Sequence, residues 1–97
     1  MKKYYFTMTG MNHYFGTKSM DEGMKFKIKK EPDNKYDHEA IKCTLKPLGK
    51  IGYLANSTYT VLGETLSAGR LYDKIGKKSK AKVVCVTERG VICEVRA

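Results

Sequence analysis

Met24-Lys25-Phe26-Lys27-Ile28-Lys29-Lys30-Glu31-Pro32-Asp33-Asn34 is the stretch that decides the fold. In an extended chain Met24, Phe26 and Ile28 share one face, and Lys25, Lys27 and Lys29 share the other. That period of two marks a strand with one face buried and one in water. Glu31-Pro32-Asp33-Asn34 then ends it: proline fixes φ and lacks an N–H, and Asp and Asn side chains bond to nearby backbone.

Working outward, the same alternation recurs. Tyr4, Phe6 and Met8 alternate with Lys3, Tyr5 and Thr7, predicting a strand over residues 2–9 that Gly10 ends. Gly10 to Gly16 is a loop dense in rings, and residues 17–23 are polar and close on Gly23, a turn signal. Past the proline turn, Ile41, Cys43 and Leu45 alternate with Lys42, Thr44 and Lys46 until Pro47. Gly49 turns the chain into a short strand, Lys50-Ile51-Gly52-Tyr53-Leu54.

One helix is predicted next. Asn56 or Ser57 caps its free N–H groups, Tyr59, Leu62 and Leu66 share a face, and Gly69 suits the position beyond its end. Gly63 inside it costs about 1 kcal/mol relative to alanine. Residues 70–75 are read as a further short strand, and Lys74 to Lys82, with five lysines in nine residues, as an exposed loop. Residues 82–87 and 91–95 form a hairpin around Glu88-Arg89-Gly90, and a three-residue loop there sets Cys85 opposite Cys93. The count is mainly β with one helix, five or six short strands in a small β-barrel or curled sheet with the helix plugging one end.

The chain has 97 residues, which suits one domain over 1–97. Hydrophobic residues at 41% and charged residues at 30% are a globular balance rather than a disordered one. No apolar run approaches the roughly 18 residues of a membrane span, and the basic start leads into no apolar signal region, so a cytoplasmic location and no membrane partner are expected. Cys43, Cys85 and Cys93 cannot all pair within one chain, which excludes a stapled secreted miniprotein. There is no CxxC, and the histidines are His13 and His38 only, so neither a structural zinc site nor any other cofactor is expected. Sixteen lysines and three arginines against ten acids give a net charge of +9. Such a surface attracts polyanions, nucleic acid first among them.

Lys30-Glu31-Pro32-Asp33-Asn34-Lys35-Tyr36-Asp37-His38-Glu39-Ala40-Ile41 resembles the signature of the HIRAN domain family: a basic-Glu-Pro start, then Asn, an aromatic-Asp pair and Ala-Ile. Gly10 to Gly16 with Tyr14 inside is similar to the family's upstream glycine-tyrosine-glycine loop, and Ile51-Gly52-Tyr53-Leu54 to its downstream Ile-Gly-aromatic strand. The three features stand in the family's order and cover about residues 3–95. Lys30 stands where arginine is more usual and Lys35 where proline is common.

The resemblance implies an OB-like β-barrel. It also implies a non-catalytic module that binds single-stranded DNA at 3′-hydroxyl ends, in DNA repair or DNA processing, with a DNA-processing helicase or nuclease as partner. The matching positions are His13 and Tyr14 in the upstream loop, Tyr36 and Asp37 in the motif, and Tyr53 as a further pocket residue. The ATPase and zinc-finger parts of larger relatives have no counterpart here.

The residues themselves fit that chemistry. A strand end offers unstacked bases, phosphates and one free hydroxyl. Rings such as Tyr14, Tyr36 and Tyr53 stack bases of any sequence. The Asp37 carboxylate can accept a hydrogen bond from a terminal hydroxyl and repels a phosphate in its place. Lys30 and Lys42, with Lys25, Lys27 and Lys29, can follow the backbone. The competing expectations are structural: Asp37 satisfying turn amides, Tyr14 and Tyr53 as core rings with surface hydroxyls, the lysines as a solvated face. The alternative function is a protein- or ligand-binding accessory module. A metal-dependent nuclease built on His38 ranks below both, because Asp37, His38 and Glu39 are adjacent and seldom converge on one ion.

Overall fold

The computed structural model describes residues 2–18 and 20–97. Six strands, β1 (Lys3–Thr9), β2 (Lys25–Lys30), β3 (Ile41–Leu45), β4 (Gly49–Leu54), β5 (Lys78–Val86) and β6 (Val91–Arg96), form a closed barrel in the order β1-β4-β3-β2-β5-β6. Every neighbouring pair is antiparallel. Among the described residues one helix, α1 (Ala68–Tyr72), stands outside the sheet, and a single 3-10 turn spans Met11–His13. The fold is thus mainly β with one helix, consistent with the OB-like small barrel expected.

The alternation of β2 is realised as read: Phe26 and Ile28 are buried, and Lys25 and Lys27 are exposed. Phe6 and Phe26 meet edge to face across the interior, ring centres 6.3 Å apart. Ile28, Ile41, Ile51, Val83 and Val95 fill the rest, and Ala68 and Leu71 of α1 join the same core. Gly52 of β4 has no room for a side chain: a Cβ would come within 2.8 Å of the Thr9 carbonyl oxygen and 2.9 Å of Met8. A glycine is therefore required where β4 crosses β1.

The segment between β4 and α1 corrects the helix expected from Asn56 to Gly69. It holds turns and one parallel bridge from Leu66 to Phe6, and the helix lies where a strand over 70–75 was expected. The cause is the barrel seam. β1 and β4 share only two residue pairs, Met8 with Leu54 and Thr9 with Tyr53. Beyond these, Ala55 N–H donates to the Thr7 carbonyl and Leu66 N–H to the Tyr5 carbonyl, each at 2.8 Å, so amides a helix would need are engaged by β1. Gly63 adopts φ 55°, which breaks a right-handed helix. Leu62 and Leu66, four residues apart, are half-buried and donate their backbone N–H groups to β1 rather than lining a helix face. Thr7 is fully buried beneath them, its hydroxyl 2.7 Å from that of Thr65 and accepting from Leu62 N–H at 3.1 Å.

Two further expectations change. Lys74–Lys82 is a loop only in part, because β5 begins at Lys78 and pairs its lysines with β2. Cys85 does not face Cys93: a register shift between Val83 and Cys85 sets Val83 opposite Cys93 and Cys85 opposite Ile92. The extra residue, Val84, bulges outward. All three cysteines are free, Cys43 and Cys93 buried and Cys85 half-buried. Burial pushes the Cys93 thiol up to about 12 and Cys43 well above its ordinary value. Among the described residues no helix is long and apolar enough to cross a membrane.

Candidate nucleic-acid interface

The connection from β2 to β3, residues 31–40, carries the motif. Its ends are zipped by Glu31 N–H donating to the Ala40 carbonyl at 2.8 Å. Asn34 fixes the tip: its side-chain oxygen accepts from the backbone N–H groups of Tyr36 (2.9 Å) and Asp37 (3.0 Å). Its amide donates to Glu31 Oε1 at 3.3 Å. This Asx-type geometry is why Asn sits two residues before the aromatic-Asp pair. It leaves the Tyr36 ring 96% exposed on a pinned turn.

Asp37 is held from two sides. One carboxylate oxygen accepts Glu39 N–H at 2.9 Å, and the other accepts the Asn56 amide at 2.9 Å. Asn56 also donates to Glu39 at 3.2 Å, and its oxygen accepts Gly69 N–H, in the first turn of α1, at 2.8 Å. Asn56 does not cap a local helix as expected; its side chain instead accepts an amide of α1, 13 residues further on. Ser67 supplies the local cap to Arg70 N–H. Asp37 does satisfy a turn amide, yet a carboxylate has about four acceptor positions, and capacity is left over.

A second cluster gathers around Glu31. The Tyr53 hydroxyl accepts from Lys50 Nζ at 2.6 Å and donates to Glu31 Oε1 at 2.6 Å. Lys42 and Lys50 each lie 3.8 Å from Glu31 Oε2. Lys50 Nζ also sits 4.8 Å from the Tyr53 ring centre and 6.0 Å from that of Tyr14. Burial pushes the Glu31 carboxyl up, but bonds from Tyr53 and Asn34 and the charges of Lys50 and Lys42 outweigh it and hold it below the usual range. Lys50 is raised, first by its bond to Tyr53 and then by Glu31, against an opposing effect of burial. The Tyr53 hydroxyl is raised by burial and by its bond to Glu31.

The fold therefore brings Tyr14, Lys42 and Tyr53 together through Lys50 and Glu31, and links Asp37 and Tyr36 to them through Asn34. Two predicted residues lie apart. Lys30 Nζ donates to the Ile75 carbonyl at 2.9 Å and covers the Tyr72 ring at 4.5 Å. His13 lines a separate cleft of about 310 Å³ with Thr87, Glu88 and Arg89. Sequence reasoning did not single out Glu31, Lys50 and Asn56 for this role. A lone acid closing a run of lysines was the available signal for Glu31; Lys50 and Asn56 had none. Among the described residues no three His, Cys, Asp or Glu side chains gather to hold a metal ion. His38 Nδ1 instead lies 3.4 Å from the Pro32 carbonyl oxygen.

Fold and site together define a class: a small closed β-barrel that displays rings, lysines and an anchored carboxylate on its connecting segments. A family model described as HIRAN domain matches residues 1–90, and the chain belongs to the HIRAN domain family. The HIRAN domain is a DNA-binding module, non-catalytic by itself, which supports a general DNA-binding role for this chain. Comparison with curated proteins and with solved structures gave no match.

Proposed function

We propose that this protein binds single-stranded DNA at 3′-hydroxyl ends, without catalysis, in DNA repair or processing. One observation carries the proposal: the nearly fully exposed ring of Tyr36 stands on a pinned turn beside the fixed carboxylate of Asp37. A tyrosine displayed on a fixed backbone turn offers its ring face to a base. The adjoining carboxylate accepts the terminal hydroxyl and repels either a 3′-phosphate or a continuing strand. Tyr14 and Tyr53 offer further faces, Lys42 and Lys50 meet the phosphates next to the end, and His13 contacts the strand from the far side of its loop. Lys30, already committed to Ile75 and Tyr72, shapes the loop more than it touches DNA. One domain over 1–97, a cytoplasmic location, in keeping with three free thiols, and a helicase or nuclease as working partner belong to the same proposal.

Fluorescence anisotropy with three oligothymidines tests it: one ending in a 3′-hydroxyl, one in a 3′-phosphate, one closed into a circle. The free hydroxyl should bind best, and Asp37→Ala should weaken that strand alone. Equal binding of all three overturns end recognition. No binding of any favours the protein-interaction alternative.

A further inference from the structure

The pairing of β2 with β5 sets lysine directly against lysine three times in succession: Lys25 opposite Lys82, Lys27 opposite Lys80, and Lys29 opposite Lys78. All six occupy alternate positions, so all project from the outer face of the barrel. Like charges directly opposite on a sheet destabilise it. One such pair is a small penalty; three in a row are a standing cost to the fold. Compensation is slight. Glu94 pairs with Lys82 at 3.2 Å and with Lys3 at 3.5 Å, and among the described residues the other five lysines form no ion pair.

The ladder is continuous with the candidate interface. Register runs from Tyr53 to Lys42, from Lys42 to Lys29, and from Lys29 to Lys78, one residue from each of β4, β3, β2 and β5. The next row runs from Lys50 through Thr44 and Lys27 to Lys80. Lys25, Lys27, Lys80 and Lys82 of the ladder line a groove of about 920 Å³, to which Lys46, Arg96 and the acid Glu94 also contribute. Along each strand the lysines recur every two residues, roughly 6.7 Å, and cross-strand partners stand about 5 Å apart. No aromatic side chain interrupts the rows between β2 and β5, so the face suits a charged backbone rather than bases.

We propose that the outer face of β2 and β5 is a track for the phosphodiester backbone of the DNA strand whose end is held at the motif loop. The proposal rests on the end-binding reading and extends it to the strand leading away from the end. It assigns a role to Lys78, Lys80 and Lys82, which the sequence presents as loop residues. Neutralising the ladder should strengthen the fold and weaken binding together, a combination that a merely solvated face does not give.

The test compares wild type with Lys78→Gln/Lys80→Gln, a double variant that takes one lysine from each of two like-charge pairs. Oligothymidines of three and fifteen nucleotides, both ending in a 3′-hydroxyl, are titrated across a salt series. The variant should raise the denaturation midpoint and leave trinucleotide affinity within twofold. The slope of log affinity against log salt for the fifteen-mer should become shallower by about 1.4, or about 0.7 for each phosphate deprived of its lysine. An unchanged fifteen-mer slope overturns the track, as does an equal weakening of both lengths. If wild type binds the fifteen-mer through the lysines without preferring a 3′-hydroxyl over a 3′-phosphate, the track stands and end recognition fails. If wild type binds neither length, both fail.

Discussion

The Tyr53 hydroxyl donates to the Glu31 carboxylate at 2.6 Å across 22 residues of chain. That bond ties the start of the β2–β3 connection to β4. It makes Glu31 the point where Tyr53, Asn34, Lys42 and Lys50 converge. Stability and site geometry are therefore coupled through one carboxylate.

Glu31→Ala removes the acceptor for two neutral donors and the counter-charge for two lysines. The expected loss of stability is about 1–3 kcal/mol, toward the low end because the groups are half-buried. Urea denaturation at neutral pH measures it.

The same carboxylate gives an acid limb. Its folded pKa lies below the ordinary value of 4.5, so the unfolded chain takes up its proton first as pH falls. The contribution of Glu31 is complete above that ordinary value and is lost as pH drops through the lowered folded value. Urea midpoints of wild type minus Glu31→Gln should be flat from pH 7 to about 5 and shrink below that.

Tyr36→Ala separates binding from folding. With the ring 96% exposed, the change should alter stability by less than about 0.5 kcal/mol. Loss of one stacked base should cost about 1–3 kcal/mol of affinity for a 3′-hydroxyl oligothymidine. Anisotropy and urea denaturation on the same sample check both.

The thiols should divide by burial. Iodoacetamide at pH 8 should alkylate half-buried Cys85 and spare Cys43 and Cys93 until the chain unfolds, as mass spectrometry will show. The folded Cys93 keeps its proton up to about 12, while the unfolded thiol releases it near 8.5. Its contribution to stability is thus full below about pH 8.5 and declines from there toward 12.

Gly52→Ala forces a Cβ to within 2.8 Å of the Thr9 carbonyl oxygen and into the Met8 side chain. Backbone cannot yield as a flexible side chain can, so a loss of about 1–3 kcal/mol is expected, read as a lower urea midpoint with unchanged m-value.

Strands whose faces differ in polarity were legible: β1, β2 and β3 declare their inward residues by alternation, and Pro32 and Pro47 declare where β2 and β3 stop. The helix was misplaced for a physical reason. Leu62 and Leu66 have helical spacing, but spacing does not say which surface they will bury against, and β1 offered one along an incompletely paired seam. β5 was shortened because Lys78 and Lys80 look like loop when their partners are unknown. Of the site, Tyr36 and Asp37 could be singled out because the motif is contiguous in sequence. Glu31, Lys50 and Asn56 could not, since each acts in part through partners 11 to 22 residues away.

By itself the sequence determined the faces of individual strands, the turns that end them and the basic character of the surface, because period and composition are local properties. Only the tertiary structure decided which strands are neighbours. Barrel closure sets the register, and register set Cys85 away from Cys93, brought Tyr53 to Glu31, and laid the lysines of β5 against those of β2.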